Sequence, residues 1–174
     1  LLPRGPSGGG YSYIMTSTPA VNLIASTIQK GLLTKASIED AYKVMKQNLF
    51  PGGMLGDSDD INFYTKNGYW PNNAGISLEA SFQDYAMAQV ARKLNNKKDF
   101  AFFEKRSQGW KNLYNPKQSL IFPKDKSGKF IHDNPLSGQG WVEANAWQAT
   151  WSVSHDISGL ANLMGGEDAL TEKL

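Results

Sequence analysis

The residues best suited to chemistry lie in one short segment, residues 141–151, which reads Trp-Val-Glu-Ala-Asn-Ala-Trp-Gln-Ala-Thr-Trp. On a continuous helix, i, i+4 spacing places Glu143 beside Trp147, and Trp147 beside Trp151. An apolar indole next to a carboxyl raises the pKa of that carboxyl by disfavouring its charged form, which keeps a glycosidase general acid protonated. The segment therefore predicts a sugar subsite with Glu143 as the general acid.

The same segment carries two amide side chains, Asn145 and Gln148, whose uncharged oxygens suit either sugar hydroxyls or a calcium ion. A second interpretation explains the spacing without a site. In it, the indoles belong to the core, Glu143 is a first-turn acid facing the helix dipole, and the amides are surface residues. Spacing alone does not separate the two interpretations.

Composition excludes several other classes of function. The 18 Lys and Arg balance 16 Asp and Glu without a basic run, which argues against nucleic-acid binding. The chain has no Cys and two His, which removes thiol nucleophiles and most zinc sites. Apolar runs are far shorter than the ~20 residues that a membrane span requires.

The elements around the segment are predicted to be mostly helices. Start signals and 3.6-residue periodicity predict helices over residues 18–31, 38–49, 77–94 and 97–114. The stretch 51–74 is rich in Gly, Pro, Asp and Asn, which favours a long surface loop. The short turn between the last two helices predicts antiparallel neighbours.

The C-terminal half is predicted to add one small hairpin and further helices. Residues 119–122 and 129–131 flank a Gly-containing turn, which is typical of a β-hairpin. A helix is predicted over 143–151, and a short one between the cap at His155-Asp156 and the Gly pair at 165–166. The fold class is all-α with one hairpin, and the paired-helix rhythm fits an α-toroid.

Both ends of the chain suggest an excised piece. Residues 1–10 resemble a cloning linker with a protease-cleavage remnant, and we expect them to lie outside the fold. The helical pattern over 167–174 stops without a capping Gly or Pro. We therefore expect residues 11–174 to be part of a larger domain that is truncated on both sides.

Several motifs, in order, resemble glycoside hydrolase family 92, whose members are calcium-dependent exo-α-mannosidases. The run 143–148, Glu-Ala-Asn-Ala-Trp-Gln, is similar to the family's Glu-Gly-Asn-Ala-Trp-Gln, with Ala144 in place of Gly. The His-Asp, Gly-Leu and Met-Gly-Gly groups within 154–166 follow as they do in the family. Upstream, 68–71, 77–85 and 103–114 also resemble it.

This resemblance implies a fold and a mechanism. The chain would be part of the C-terminal (α/α)6 barrel of an inverting enzyme, in which one carboxylic acid protonates the leaving oxygen and another carboxylate activates water. Glu143 matches the general acid, whereas the base motif lies beyond residue 174, so the isolated chain is expected to be inactive. Asn145 and Gln148 fall beside the family's calcium, and retention of Glu143 favours a sugar aglycone over mannosyl phosphate.

Further residues and properties are expected as well. Trp70, on the predicted loop, is a candidate for stacking on sugar, together with Trp147 and Trp151. His155 is another candidate for sugar contact, with a structural role as the alternative. The resemblance also implies an α-mannoside glycan as partner and a secreted or cell-surface bacterial enzyme.

Two other classes of function remain open at this stage. The first is a non-catalytic carbohydrate-binding or interaction fragment, which would form homo-oligomers through exposed helix faces of an incomplete barrel. The second is a different α-toroid glycosidase or lyase with a wholly local site.

Overall fold

The computed structural model describes residues 6–7, 10–11, 18–53 and 58–174. The described residues are mainly helical, which confirms the all-α prediction. The α-helices are α1 (Pro19–Gln29), α2 (Lys35–Asn48), α3 (Ser58–Asn67), α4 (Ala74–Lys93), α5 (Lys97–Ser107), α6 (Ala146–Ala149), α7 (Ile157–Met164) and α8 (Glu167–Lys173). Short 3-10 helices cover Gly109–Leu113 and Thr150–Ser152. Within the described residues, every helix is too short or too polar to cross a bilayer.

The first two helices lie close to their predicted positions, but the residue that caps α2 differs from the prediction. The Oγ1 of Thr34 accepts a hydrogen bond from the Ser37 backbone N–H at 3.2 Å, so α2 begins at Lys35 rather than at residue 38. An N-terminal hydroxyl satisfies a helix N–H that would otherwise lack a partner. Thr18 does not cap α1. Its hydroxyl donates to Oε1 of Gln83 at 2.9 Å and ties the start of α1 to α4.

The predicted long loop over 51–74 is wrong, because its centre forms α3. Ile61 and Tyr64, three residues apart, share a helix face and are fully buried. Asp59 and Asp60 lie in the first turn of α3. Carboxylates there interact favourably with the positive end of the helix dipole. Gly, Asp and Asn suggested a loop, but burial of this apolar pair outweighs their low helix propensity. Residues 54–57 lie outside the described residues.

Helix α4 is the central element of the fold, and it packs against α1, α2, α5 and the 3-10 helix Gly109–Leu113. It begins one turn earlier than predicted, because Asn73 rather than Ser77 is the cap; Asn73 Oδ1 accepts the Ile76 N–H at 2.9 Å. Asn96 caps α5, which starts at the predicted place after a short turn. The last part of the predicted 97–114 helix is the 3-10 helix, so α5 itself ends at Ser107.

A buried ion pair joins α4 to α5. Arg106 donates from Nε to Oδ2 of Asp84 at 2.7 Å and from Nη2 to Oδ1 at 2.6 Å. The hydroxyl of Tyr64, from α3, donates to the same carboxylate at 2.7 Å. The guanidinium carbon lies 5.0–5.4 Å from the centroids of four aromatic rings, those of Phe50, Tyr64, Phe102 and Phe103. Hydrogen bonds and cation–π contacts together stabilise a charge pair that burial alone would penalise.

The predicted hairpin is present, but with a different strand pairing. Strand β4 (Leu120–Ile121) pairs antiparallel with β3 (Tyr114–Asn115) rather than with residues 129–131. Residues 129–131 instead lie beside residues 123–125, through an isolated antiparallel bridge between Lys124 and Phe130. Ser119 has φ +56, a left-handed conformation that allows the tight turn before β4. Two further strands, β1 (Pro6–Ser7) and β2 (Gly10–Tyr11), pair at the boundary of the segment 1–10 that is expected to be a cloning remnant. That expectation stays a prediction.

The C-terminal helices follow the sequence signals closely. Asp156 caps α7, with its Oδ1 accepting the Gly159 N–H at 3.0 Å. Gly165 closes the helix at φ +106, a conformation that favours glycine. Helices α7 and α8 pack against each other and against the second of two core clusters, which contains Trp110 and Trp141.

Candidate functional site

The segment 141–151 is not one helix, and the predicted helix over 143–151 is wrong for residues 143–145. The Oδ1 of Asn145 accepts the Gln148 N–H at 3.0 Å and starts α6 at Ala146. Glu143 lies two residues before this cap with φ +52, which is incompatible with the right-handed helix. The predicted shared face of Glu143 and Trp147 therefore does not form, and the helical argument for an indole beside the carboxyl fails.

Glu143 nevertheless has the exposure that a general acid needs to reach a substrate. Its side chain is exposed, and its backbone lies between half-buried Val142 and Ala144. A positive φ in a non-glycine residue is uncommon and often marks a constrained functional position. The structure therefore presents this carboxyl at the end of an irregular segment instead of along a helix face.

Two of the three indoles in the segment do lie together. The ring centroids of Trp147 and Trp151 are 6.5 Å apart, and the planes are nearly perpendicular at 89°. Trp147 is 43% exposed, and Lys173 Nζ lies 5.2 Å from the centroid of its ring. Trp151 is half-buried. Trp147 is thus the most exposed of the three indoles in the segment.

Trp70 cannot serve as the exposed stacking residue that its predicted loop position suggested. It is 4% exposed, and its ring centroid lies 5.8 Å from that of Tyr64 in the first core cluster. Its backbone N–H donates to Oγ of Ser77 at 2.8 Å. Formation of α3 buries this indole, which corrects the prediction for Trp70.

His155 packs against α4. Its ring centroid lies 5.8 Å from that of Phe82 and 5.6 Å from that of Tyr85, and Nε2 is 3.2 Å from the carbonyl oxygen of Ser107. Burial lowers the pKa of His155 below its ordinary value, so the neutral ring is favoured. These contacts fit the structural role that was the alternative for His155. The predicted contact of His155 with sugar stays a prediction.

Asn145 and Gln148 do not by themselves fit a calcium site. Calcium takes six to eight oxygen ligands, with carboxylates among them. Asn145 Oδ1 already accepts the cap hydrogen bond, and Gln148 is exposed. Across the residues whose side chains are described, no three His, Asp or Glu lie close enough to hold a metal ion. Two neutral oxygens are too few, so any complete calcium site requires other ligands.

The structure brings forward one carboxyl that the sequence reasoning missed. Glu79, on α4, lines a cavity of about 210 Å³ together with Trp141 and the two neighbours of Glu143, Val142 and Ala144. Burial raises the pKa of the Glu79 carboxyl above its ordinary value. The available sequence signal was the i, i+4 row of Gly75, Glu79 and Gln83, which placed a carboxyl between a glycine and a buried amide.

Comparison with known proteins identifies close structural relatives. A family model described as the glycosyl hydrolase family 92 catalytic domain matches residues 1–174. The structure of a family GH92 α-mannosidase from Bacteroides thetaiotaomicron has a TM-score of 0.87 at 26% identity, covering 99% of this chain and 23% of that chain. Its complex with mannoimidazole has a TM-score of 0.85 at 25% identity, covering 99% of this chain and 24% of that chain.

A further structure, a family GH92 inverting mannosidase from Bacteroides thetaiotaomicron VPI-5482, has a TM-score of 0.86 at 24% identity, which shows likeness of fold. It covers 95% of this chain and 24% of that chain. A search of curated proteins found no match. The chain thus spans about a quarter of the length of the structures it matches. Their catalytic domain is an (α/α) barrel, which confirms the predicted fold class.

Proposed function

Because this chain belongs to glycosyl hydrolase family 92, we propose that it forms part of the catalytic barrel of an inverting exo-α-mannosidase. The family match over the whole chain is the observation that carries this proposal. The structural neighbours are themselves mannosidases, which supports a terminal α-linked mannose as the substrate. The proposed substrate is a glycan whose leaving group is another sugar.

In the proposed reaction, Glu143 acts as the general acid. An exposed carboxyl at an irregular, positive-φ position can approach a glycosidic oxygen without competing helix contacts. Protonation of that oxygen allows a sugar alcohol to leave, since an unprotonated sugar alkoxide leaves poorly. Trp147 and Trp151 belong to the same segment, and their adjacent rings provide an apolar surface for the sugar.

The second carboxylate of the inverting pair is proposed to come from outside these 174 residues. Inversion needs a base that activates water on the opposite face of the sugar ring, about 6.5–9.5 Å from the acid. The chain covers about a quarter of its relatives' length, and the base is proposed to lie in the part that it does not cover. We propose that calcium, too, requires ligands from that remainder, with Asn145 and Gln148 providing neutral oxygens at most.

The test compares two substrates that differ in their need for an acid. p-Nitrophenol is a good leaving group and needs little protonation, whereas the mannose released from an α-mannobiose needs a proton. In a polypeptide that contains this chain and hydrolyses both, Glu143→Gln is expected to lower α-mannobiose hydrolysis by about 10²–10⁴-fold. Hydrolysis of the aryl mannoside should fall far less.

Glu167→Gln is the matched control, because Glu167 is also an exposed glutamate in this part of the chain, at the start of α8. It should leave both rates unchanged. Equal losses on the two substrates for Glu143→Gln would contradict the assignment of a general acid. The 174-residue chain alone is expected to release no mannose, and release by the pure chain would show that it contains its own base.

The alternative of an interaction fragment needs a contiguous exposed apolar surface, since single exposed apolar residues are ordinary. Leu136 is 71% exposed and Ile157 is 57% exposed, both in the C-terminal half of the chain. In this alternative the chain binds glycan or a second copy without hydrolysis, and its solution mass by light scattering would exceed that of a monomer. Secretion from a bacterium remains a prediction from the family resemblance.

A further inference from the structure

The helix that follows Glu143 is attached to strand β4 through one buried hydroxyl. Thr150 begins the 3-10 helix after α6, and it is fully buried. Its Oγ1 donates a hydrogen bond to the carbonyl oxygen of Ala146 at 2.7 Å, an i−4 contact that threonine can make in a helix. The same Oγ1 accepts the backbone N–H of Ile121 at 2.9 Å. One oxygen therefore joins the first residue of α6 to β4.

The backbone N–H of Ile121 points away from its own sheet. Phe122, the next residue, donates its N–H to the carbonyl oxygen of Leu113, beside β3, at 2.9 Å. Because successive amides of a strand point to opposite sides, the Ile121 N–H points away from β3 and towards Thr150. A buried N–H that loses its acceptor costs free energy. The Thr150 hydroxyl therefore holds α6 to β4 by a directional contact, in addition to packing.

Two other contacts keep α6 beside β4. Ala146 is fully buried and belongs to the same core cluster as Leu120 and Ile121, and α6 packs against β4. The backbone N–H of Trp147 donates to the carbonyl oxygen of Pro135 at 3.2 Å. Apolar packing permits small sliding movements, whereas a hydrogen bond is sensitive to distance and angle. The hydroxyl bridge is thus the contact that can fix the position of α6 along β4.

Glu143 lies between this attachment and a second one. On its N-terminal side, the carbonyl oxygen of Gly140 accepts the N–H of Ala74 at 2.9 Å, which joins the segment to α4. On its C-terminal side, α6 begins at Ala146 after the Asn145 cap. Residues 143 and 146 are three apart, so their Cα atoms lie within about 11 Å of each other. A shift of α6 along β4 would therefore change where the Glu143 carboxyl is presented.

We propose that Thr150 is a positioning residue for Glu143, because its hydroxyl fixes the helix that follows the carboxyl. The inference rests on the proposed function, since the position of Glu143 affects the rate only if Glu143 is the general acid. A general acid must come within about 2.6–3.2 Å of the oxygen that it protonates. A displacement of about 1 Å can lower the rate by about 10²-fold. Thr150 acts through Glu143, because its own side chain is buried.

The test uses Thr150→Val, which keeps the shape of the side chain and removes the hydroxyl. In a polypeptide that contains this chain and hydrolyses both substrates, we would measure kcat for α-mannobiose and for p-nitrophenyl α-mannoside in one preparation. The ratio of the first rate to the second does not depend on how much enzyme is folded. Because the mannobiose depends far more on the acid, the ratio should fall at least about tenfold. An unchanged ratio would overturn the inference.

Two variants separate positioning from stability. Thr150→Ser keeps the hydroxyl and removes a buried methyl group, so it should lower stability and keep the wild-type ratio. Thr18→Val removes another buried hydroxyl, which donates to Oε1 of Gln83 at 2.9 Å at the start of α1, outside residues 141–151. It should likewise lower stability and keep the ratio. A tenfold fall of the ratio in either control would contradict positioning by the Thr150 hydroxyl.

The hydrogen bond itself can be tested in the 174-residue chain by amide hydrogen exchange followed by NMR, which requires no activity. In Thr150→Val, exchange at Ile121 should become about tenfold faster relative to exchange at Phe122, as expected for the loss of one hydrogen bond. Phe122 is the internal control, because its N–H donates to Leu113 and not to Thr150. Equal changes at the two amides would overturn the bridge between α6 and β4.

Failure of this inference is distinguishable from failure of the proposed function. If Glu143→Gln lowers the ratio of the two rates and Thr150→Val does not, only the positioning role of Thr150 is rejected. If Glu143→Gln lowers both rates equally, the general-acid assignment is rejected and the positioning role is rejected with it. Hydrogen exchange then still decides whether Thr150 holds β4.

Discussion

The Oδ1 of Asn145 accepts a hydrogen bond from the backbone N–H of Gln148 at 3.0 Å. This contact starts α6 at Ala146 and leaves Glu143 outside the helix, where it adopts a positive φ. The amide that sequence reasoning assigned to calcium is therefore a helix cap in this structure. Because Asn145 caps the helix, Glu143 lies in the irregular backbone before it.

Removal of this cap should destabilise the chain. Asn145→Ala leaves a backbone N–H without its acceptor, and we expect the free energy of unfolding to fall by about 1 kcal/mol. Asn145→Asp retains a capping oxygen and should lose much less. Urea unfolding followed by circular dichroism measures both. Gln148→Ala is the control, because only the backbone of Gln148 takes part, and a loss equal to that of Asn145→Ala would rule out a capping role.

The buried pair of Arg106 and Asp84 should be the most sensitive polar contact in the core. Arg106→Met leaves an uncompensated carboxylate in the interior, and the expected cost is about 3–5 kcal/mol of unfolding free energy. Combining it with Asp84→Leu removes both charges and should recover part of the loss. Lys105→Met, at the exposed neighbouring position, should stay within about 0.5 kcal/mol. Similar losses for Arg106→Met and Lys105→Met would contradict this account.

Stability should fall on acidification because of His155. Burial lowers its pKa in the folded chain, although the Ser107 carbonyl and the carboxylates of Asp156 and Asp84 oppose the shift and Lys111 adds to it. The unfolded chain binds a proton near the ordinary value of about 6.5, so the folded state binds fewer protons. The contribution of His155 is therefore complete above that pH and decreases as the pH falls towards the lowered folded pKa.

Unfolding free energies measured between neutral and mildly acidic pH test this expectation. His155→Gln cannot titrate and should show a shallower decrease on acidification than the wild type. If the free energy of unfolding decreases equally in the wild type and in His155→Gln, groups other than His155 cause the loss of stability at acidic pH.

Calcium should not stabilise the 174-residue chain. A ligand that binds only the folded state raises the free energy of unfolding of the protein. The increase grows with the logarithm of the ligand concentration once that concentration exceeds Kd. Among the described residues, no three His, Asp or Glu side chains lie close enough together to hold a metal ion, and tight calcium sites normally include carboxylates. Thermal unfolding in millimolar calcium, in magnesium and in chelator should therefore give the same midpoint. A rise with calcium alone would mean that Asn145 and Gln148 belong to a site with more ligands than the structure indicates.

Local signals predicted the helix ends well where the capping residue and the apolar period agreed. Helix α7 begins after Asp156 and ends before Gly165, as expected. Asn96 lies in the turn between α4 and α5 and caps α5. Failures occurred where tertiary contacts outweighed local propensity. The polar composition of residues 58–67 suggested a loop, yet burial of Ile61 and Tyr64 stabilises a helix there. That helix buries Trp70, a candidate site residue, against Tyr64.

The amino-acid sequence alone determined the helical class, the family and the segment that carries Glu143, because periodicity, caps and motif order are properties of neighbouring residues. Only the tertiary structure decided that Trp70 is buried and that Glu79 and Trp141 line the same cavity. The physical reason is that burial and pairing depend on which elements pack together. Contacts between α4 and residues 141–144 join positions more than 60 residues apart, a separation that no local pattern records.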